Sequence, residues 1–169
     1  LTVRQLRDGG EIRAARRAML RAMSLNERIA EDLKAAMKAR DEVGKRTLRM
    51  LKSELGRREA DLGRTLTDDD ALGVLTQAVK ARKDSIEAYT DGGRVDLADA
   101  EREELAVLER YLPRALSEDE ARDAIAALAA ELGVTDKKQM GALMKEVMAR
   151  YRGQIDGKDA SRLVAALLS

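Results

Sequence analysis

Proline occurs once in this chain of 169 residues, at Pro113. Proline removes a backbone donor and clashes with the preceding turn, so a chain with a single proline is free to run through long, unbroken helices. The helix starts are written locally. Ser24 with Glu27, Thr67 with Asp70 and Ser117 with Glu120 have the spacing of a reciprocal N-terminal cap. Apolar residues then recur at helical intervals: Leu25, Ile29, Leu33 and Met37; Leu48, Leu51, Leu55 and Leu62; Leu72, Leu75, Val79, Ile86 and Tyr89; Ile125, Leu128 and Leu132; Leu163, Val164, Leu167 and Leu168. No segment alternates as a strand does. Aromatic residues make up only 2% of the chain, so its 44% of apolar residues must build a core of Leu, Ala, Val and Met. The expected class is all-α.

The spacing predicts seven helices. The first covers 25–40, and Asp41 caps a second that ends near Gly63. Thr67 opens a third that stops at Gly92 and Gly93, and Asp96 caps a fourth that ends before Pro113. Ser117 opens a fifth, closed by Gly133. A sixth runs over 136–152 to Gly153, and Asp156 caps a seventh. Three parts are expected. Residues 1–22 form an extension of upstream or expression-derived sequence, residues 23–112 an antiparallel long-helix domain, and residues 113–169 a small three-helix domain. The extension carries six arginines against two acids, and its segment 12–21 has the makings of a short amphipathic helix for a membrane surface or import.

Histidine and cysteine are absent, which removes imidazole and thiolate metal sites, disulfides, and Ser-His or Cys-His nucleophiles. Ser24 and Ser117 are explained as caps, and Ser53, Ser85 and Ser161 lie inside helices. The run Asp68-Asp69-Asp70 suits the positive end of a helix, because adjacent helical positions point about 100° apart and converge poorly on a metal. No catalytic residue, metal or cofactor is expected. No apolar run reaches membrane-spanning length, and the absence of cysteine fits a reducing compartment, with the cytoplasm expected.

Charge is sorted along the chain. Residues 34–58 hold nine bases against three acids, and residues 137–162 hold seven against three. On a helical wheel with Met140 at zero, Met144, Met148, Leu143, Val147 and Tyr151 share one side. Lys138, Lys145 and Arg152 fall together at about 160°, 140° and 120°. The methionines read as core filler or as a partner groove. The cations read as a solvated face or as a stripe that meets successive phosphates of RNA or DNA. Gly153 and Gly157 flank a loop leading to Lys158, where a backbone can approach a ligand closely. The second helix carries a comparable face of Lys45, Arg46, Arg49 and Lys52, with Glu54 and Glu59 as its candidate local partners.

Three stretches, "AMKARDEVGKRTLRMLKSEL" (36–55), "KARKDSIEAYTDGGRVDLADAEREELAVLERYLPRALSEDE" (80–120) and "KKQMGALMKEVMARYRGQIDGK" (137–158), resemble the YqeY family over essentially all of 23–169. That family is similar to the tail of the B subunit of the tRNA-dependent amidotransferase, a carbon–nitrogen ligase with glutamine as amido donor. The resemblance implies a free-standing helical relative of a tail that helps hold the tRNA body. The kinase, metal and glutaminase parts of that enzyme have no counterpart here. By matching positions, it implies tRNA contacts at Lys138, Lys145, Arg150, Arg152, Gly153, Gly157 and Lys158. It also implies tRNA or another structured RNA as partner, with amidotransferase or aminoacyl-tRNA synthetase subunits as the alternative for an adaptor. With no aromatic platform to stack unpaired bases, shape and backbone contacts are expected to dominate.

Overall fold

The computed structural model of the protein describes residues 23–168; the expected extension, 1–22, lies outside them. Within the described residues every regular element is helical. Helices α1 (Leu25–Ala39), α2 (Glu42–Leu62), α3 (Asp68–Asp91) and α4 (Val95–Glu109) are followed by α5 (Glu118–Leu132). A 3₁₀ turn (Lys137–Gln139) then leads directly into α6 (Met140–Arg150), and α7 (Gly157–Leu167) completes the series. The chain divides into two compact units, one on either side of the Leu108–Glu109 junction.

The caps explain the boundaries. At Ser24, Thr67 and Ser117 the hydroxyl accepts the N–H of the third helical residue, and that residue's carboxylate accepts the cap's own N–H. Asp41 caps α2 through the Gly44 N–H, and Asp156 caps α7 through the Lys158 N–H. Asp96 does not cap α4, which begins one residue earlier. Its carboxylate instead pairs with the Arg94 guanidinium at 3.0–3.1 Å. The acidic run is also put to structural use: Asp68 accepts the Leu25 N–H at 2.8 Å and so ties the start of α1 to the start of α3.

Arg40, the C-cap of α1, sits in the left-handed region at φ 57°, while Gly63 and Gly133 fill the same position on α2 and α5. A side chain with a Cβ is strained there by about 1–2 kcal/mol. Glycine relieves that strain but gives back about 0.4–1 kcal/mol through its freer unfolded chain. Arg40→Gly is therefore expected to stabilise the protein by about 0.5–1 kcal/mol, read as a higher urea midpoint at unchanged m-value.

In the first unit Leu25, Ile29 and Ala36 of α1 are buried, as are Leu48, Leu51 and Leu55 of α2 and Ala71, Leu75 and Val79 of α3. These three helices pack against one another pairwise. Helix α4 is joined to α2 and α3 by charge. Glu104, only 8% exposed, accepts from Arg46 Nε at 2.9 Å and pairs with Arg82 Nη2 at 3.0 Å, and Glu101 lies 3.4 Å from Arg82 Nε.

The second unit packs Ala121, Ile125, Leu128 and Ala129 of α5 against Leu143 and Val147 of α6 and Ala160, Leu163 and Val164 of α7. Met140, Met144, Met148 and Tyr151 lie partly buried against this core, so the methionines are filler. At its entrance Arg114 pairs with Glu120, whose carboxylate also accepts the Ser117 N–H. The guanidinium first, and that N–H second, hold Glu120 down to about 2. A depressed carboxylate stabilises the fold above its unfolded value of 4.5, and that contribution is lost as pH falls from there towards about 2. Thermal unfolding is accordingly expected to lose more between about pH 5 and about pH 2.5 in the native chain than in Glu120→Gln.

Candidate nucleic-acid interface

The sixth predicted helix is shorter than its periodicity implies. Asp136 and Gln139 form a capping box around a 3₁₀ turn, and Tyr151 is already the C-cap of α6. Beyond it the chain turns so that the Gln154 carbonyl accepts the Leu116 N–H at 3.0 Å. Lys138 therefore precedes α6 and Arg152 follows it. The expected stripe of Lys138, Lys145 and Arg152 does not lie on one regular helix.

The candidate residues separate by what surrounds them. Arg150 is held by α5: Nη1 and Nη2 each reach an oxygen of Glu131 at 2.7 Å, in the two-pronged geometry that guanidinium and carboxylate favour. This pair raises the arginine and lowers the carboxylate from their ordinary values. Arg150 is thus a brace between α5 and α6. Arg152 is half-buried, and both it and Lys158 interact with other groups of the chain. Gly153 has φ 75°, and a Cβ there would meet the Pro113 ring at 3.1 Å and Leu112 at 3.3 Å. This glycine is required by its positive φ and by close packing against the Pro113 segment. Gly157 has an ordinary φ, and a Cβ there would make an ordinary contact with Met148.

Lys138 and Lys145 behave differently. Both are exposed, and neither has an ion pair among the described residues. Other cations of this unit are neutralised: Arg114 by Glu120, Arg122 by Glu118 and Asp119, and Arg162 by Glu118 and Asp159. Between the two lysines, at the i+3 position from Lys138 and i−4 from Lys145, stands Gly141. It is exposed, and a Cβ there would meet nothing within 4 Å. Gly141 is the second residue of α6, where a glycine costs less than the roughly 0.5–1 kcal/mol of a helix-interior position. Here no packing contact accounts for it. Lys137, which the regular wheel turns towards the methionines, is also exposed and unpaired among the described residues, because the 3₁₀ turn has a different period. Gly141 and Lys137 are the residues that periodicity did not single out. A glycine flanked by lysines at i−3 and i+4 was the available signal for the first.

On α2, Lys45 pairs with Glu42, and Arg46 is taken by Glu104 of α4. The expected local partners Glu54 and Glu59 form no ion pair among the described residues, where Arg49 and Lys52 remain exposed and unpaired. No helix among those residues is long and apolar enough to cross a membrane.

Comparison with known proteins gives relatives in fungi. The chain is 38% identical over 85 residues to the altered inheritance of mitochondria protein 41, mitochondrial, of Vanderwaltozyma polyspora, a match covering 50% of this chain and 46% of that protein. It is 32% identical over 120 residues to the protein of the same name from Clavispora lusitaniae, covering 69% of each. The chain thus spans about half the length of the first of these relatives. The family model described as Yqey-like protein matches residues 26–168, nearly all of the described residues. On that match the chain belongs to the YqeY family.

Proposed function

We propose that the chain is a non-catalytic RNA-binding module that holds the sugar–phosphate backbone of a tRNA on its C-terminal unit. The observation that carries this reading is Lys138 and Lys145, two exposed cations without an ion pair among the described residues, with the open Gly141 between them in sequence, on a unit where Arg114, Arg122, Arg150 and Arg162 are each held by a carboxylate. Lysines there meet phosphates, and the missing Cβ lets a backbone approach the helix. The choice of tRNA rests on the resemblance to the amidotransferase tail. The relatives' names speak of mitochondria and its inheritance, and say nothing of a ligand. For this chain the compartment we propose is the cytoplasm, supported by a sequence without cysteine.

No bond-making is assigned to the chain. It has no histidine or cysteine, and the hydroxyls of Ser24 and Ser117 serve as caps. The test pairs two measurements on the purified chain. Lys138→Glu/Lys145→Glu should weaken binding to a tRNA transcript by about tenfold or more, since each lost phosphate contact and each new repulsion counts against association. Incubation with mischarged tRNA, ATP and glutamine should give no amide. A folded double variant that binds as the native chain does, or reproducible amide formation, overturns the reading.

A further inference from the structure

The spacing found on α6 has a second occurrence in the first unit. Arg49, Lys52 and Gly56 follow one another on α2 at i, i+3 and i+7, so they share one side of the helix. Arg49 and Lys52 are exposed and unpaired among the described residues. Gly56 is exposed in the interior of a 21-residue helix, and a Cβ there would meet nothing within 4 Å. It caps nothing, and its exposure leaves no packing contact to require it, so the helix carries a destabilising residue without an internal reason. Ser53 and Arg57 flank it. Both are exposed, Arg57 is unpaired among the described residues, and together with Met50 and Glu54 they line a shallow depression of about 200 Å³. Lys52, Gly56, Arg49, Ser53 and Arg57 fall within an arc of about 140° and span roughly 12 Å along the axis. Of the carboxylates bordering this arc, Glu42 is taken by Lys45, while Glu54, which lines the depression, and Glu59 are half-buried and without an ion pair among the described residues, so the cations outnumber them at the exposed surface.

We infer that this face of α2 is a second RNA-backbone site, carried by the first unit. Arg49, Lys52 and Arg57 supply the phosphate contacts, Ser53 a hydroxyl, and Gly56 the room for a ribose or phosphate to reach the helix surface. RNA is favoured over an acidic protein by what the face lacks. Protein interfaces draw their affinity from aromatic or aliphatic anchors in desolvated pockets. Met50, at the edge of the arc, is the one large apolar side chain lining the depression, which is shallow. The inference shares its ligand class with the function proposed above but none of its residues.

The test uses the full chain and a labelled tRNA transcript, with affinity followed against salt. Arg49→Gln/Lys52→Gln/Arg57→Gln should lower affinity about tenfold or more and reduce the slope of log K against log salt by about 2–3. Gly56→Gln changes no charge and restores helix propensity. It should raise the melting temperature and still weaken binding severalfold, with the slope unchanged. A purely structural glycine would not give that combination. Arg49→Gln/Lys52→Gln serves if the triple variant unfolds. Normal RNA affinity in folded α2 variants, while Lys138→Glu/Lys145→Glu still loses it, overturns the second site alone and leaves the face to an acidic protein. Loss in the α2 variants only would sink the C-terminal site and keep this one. Native affinity in both sets defeats both.

Discussion

Glu104→Ala is expected to lower the unfolding free energy by about 2–4 kcal/mol, somewhat below the about 3–5 kcal/mol for removing one partner of a fully buried ion pair because Arg46 is half exposed. Glu104 comes from α4 and is shared by Arg46 of α2 and Arg82 of α3. Its removal leaves Arg82, a largely buried side chain, with Glu101 as its one carboxylate among the described residues and a weak contact to the Met50 sulfur. The Glu101 contact is not a well-formed hydrogen bond, since Arg82 Nε and Glu101 Oε2 are buried without hydrogen-bond partners. The cost therefore comes from the guanidinium left behind more than from the pair's own worth. Arg46 is about half exposed and solvent screens its charge, so Arg46→Ala should cost only about 0–1 kcal/mol. Glu104→Gln keeps an acceptor and should fall between the two. Urea unfolding gives all three values, and a loss below about 1 kcal/mol for Glu104→Ala would mean that water already reaches the network.

The second large effect contrasts two residues on opposite sides of α6. Leu143 is fully buried among Ile125, Leu128, Val147 and Val164. Leu143→Ala should cost about 2–5 kcal/mol through lost contacts and the cavity left behind. A unit of about 60 residues has little stability to spare, so loss of most of its helical circular dichroism is the expected outcome. Lys145 is exposed and unpaired among the described residues, and Lys145→Ala should leave stability within about 0.5 kcal/mol. The proposed function predicts that this variant nevertheless binds tRNA more weakly. Stability and binding are thus expected to separate across a single helix.

What could be read in the sequence was what is encoded over three or four residues. The capping boxes at Ser24, Thr67 and Ser117, the caps at Asp41 and Asp156, and the burial of Leu48, Leu51 and Leu55 on α2 and of Ile125 and Leu128 on α5 follow from local spacing, whereas Leu132 and Met37, expected on the same buried stripes, are exposed at the ends of their helices. Tertiary packing decided the rest. Periodicity carries α6 on to Arg152, yet the helix ends at Arg150, where the turn over 151–154 meets the Pro113 segment. No local signal announces that Arg150 will clasp Glu131, 19 residues earlier, or that Arg46 will reach Glu104, 58 residues later. A wheel treats every outward cation alike, and only the folded chain separates Arg150 and Arg46, which brace helices, from Lys138, Lys145, Arg49 and Lys52. Gly153 shows the same limit. Its loop position is legible in the sequence, but its close packing against Pro113 is not.

The most direct test of the central claim is the salt dependence of tRNA binding by the native chain and by Lys137→Gln/Lys138→Gln/Lys145→Gln. Backbone contacts release about 0.7–0.9 counterions per phosphate neutralised. The account predicts a steep native slope that becomes shallower by about 2–3 in the triple variant, with helical content unchanged. A slope that stays the same, or native binding that does not respond to salt at all, contradicts it.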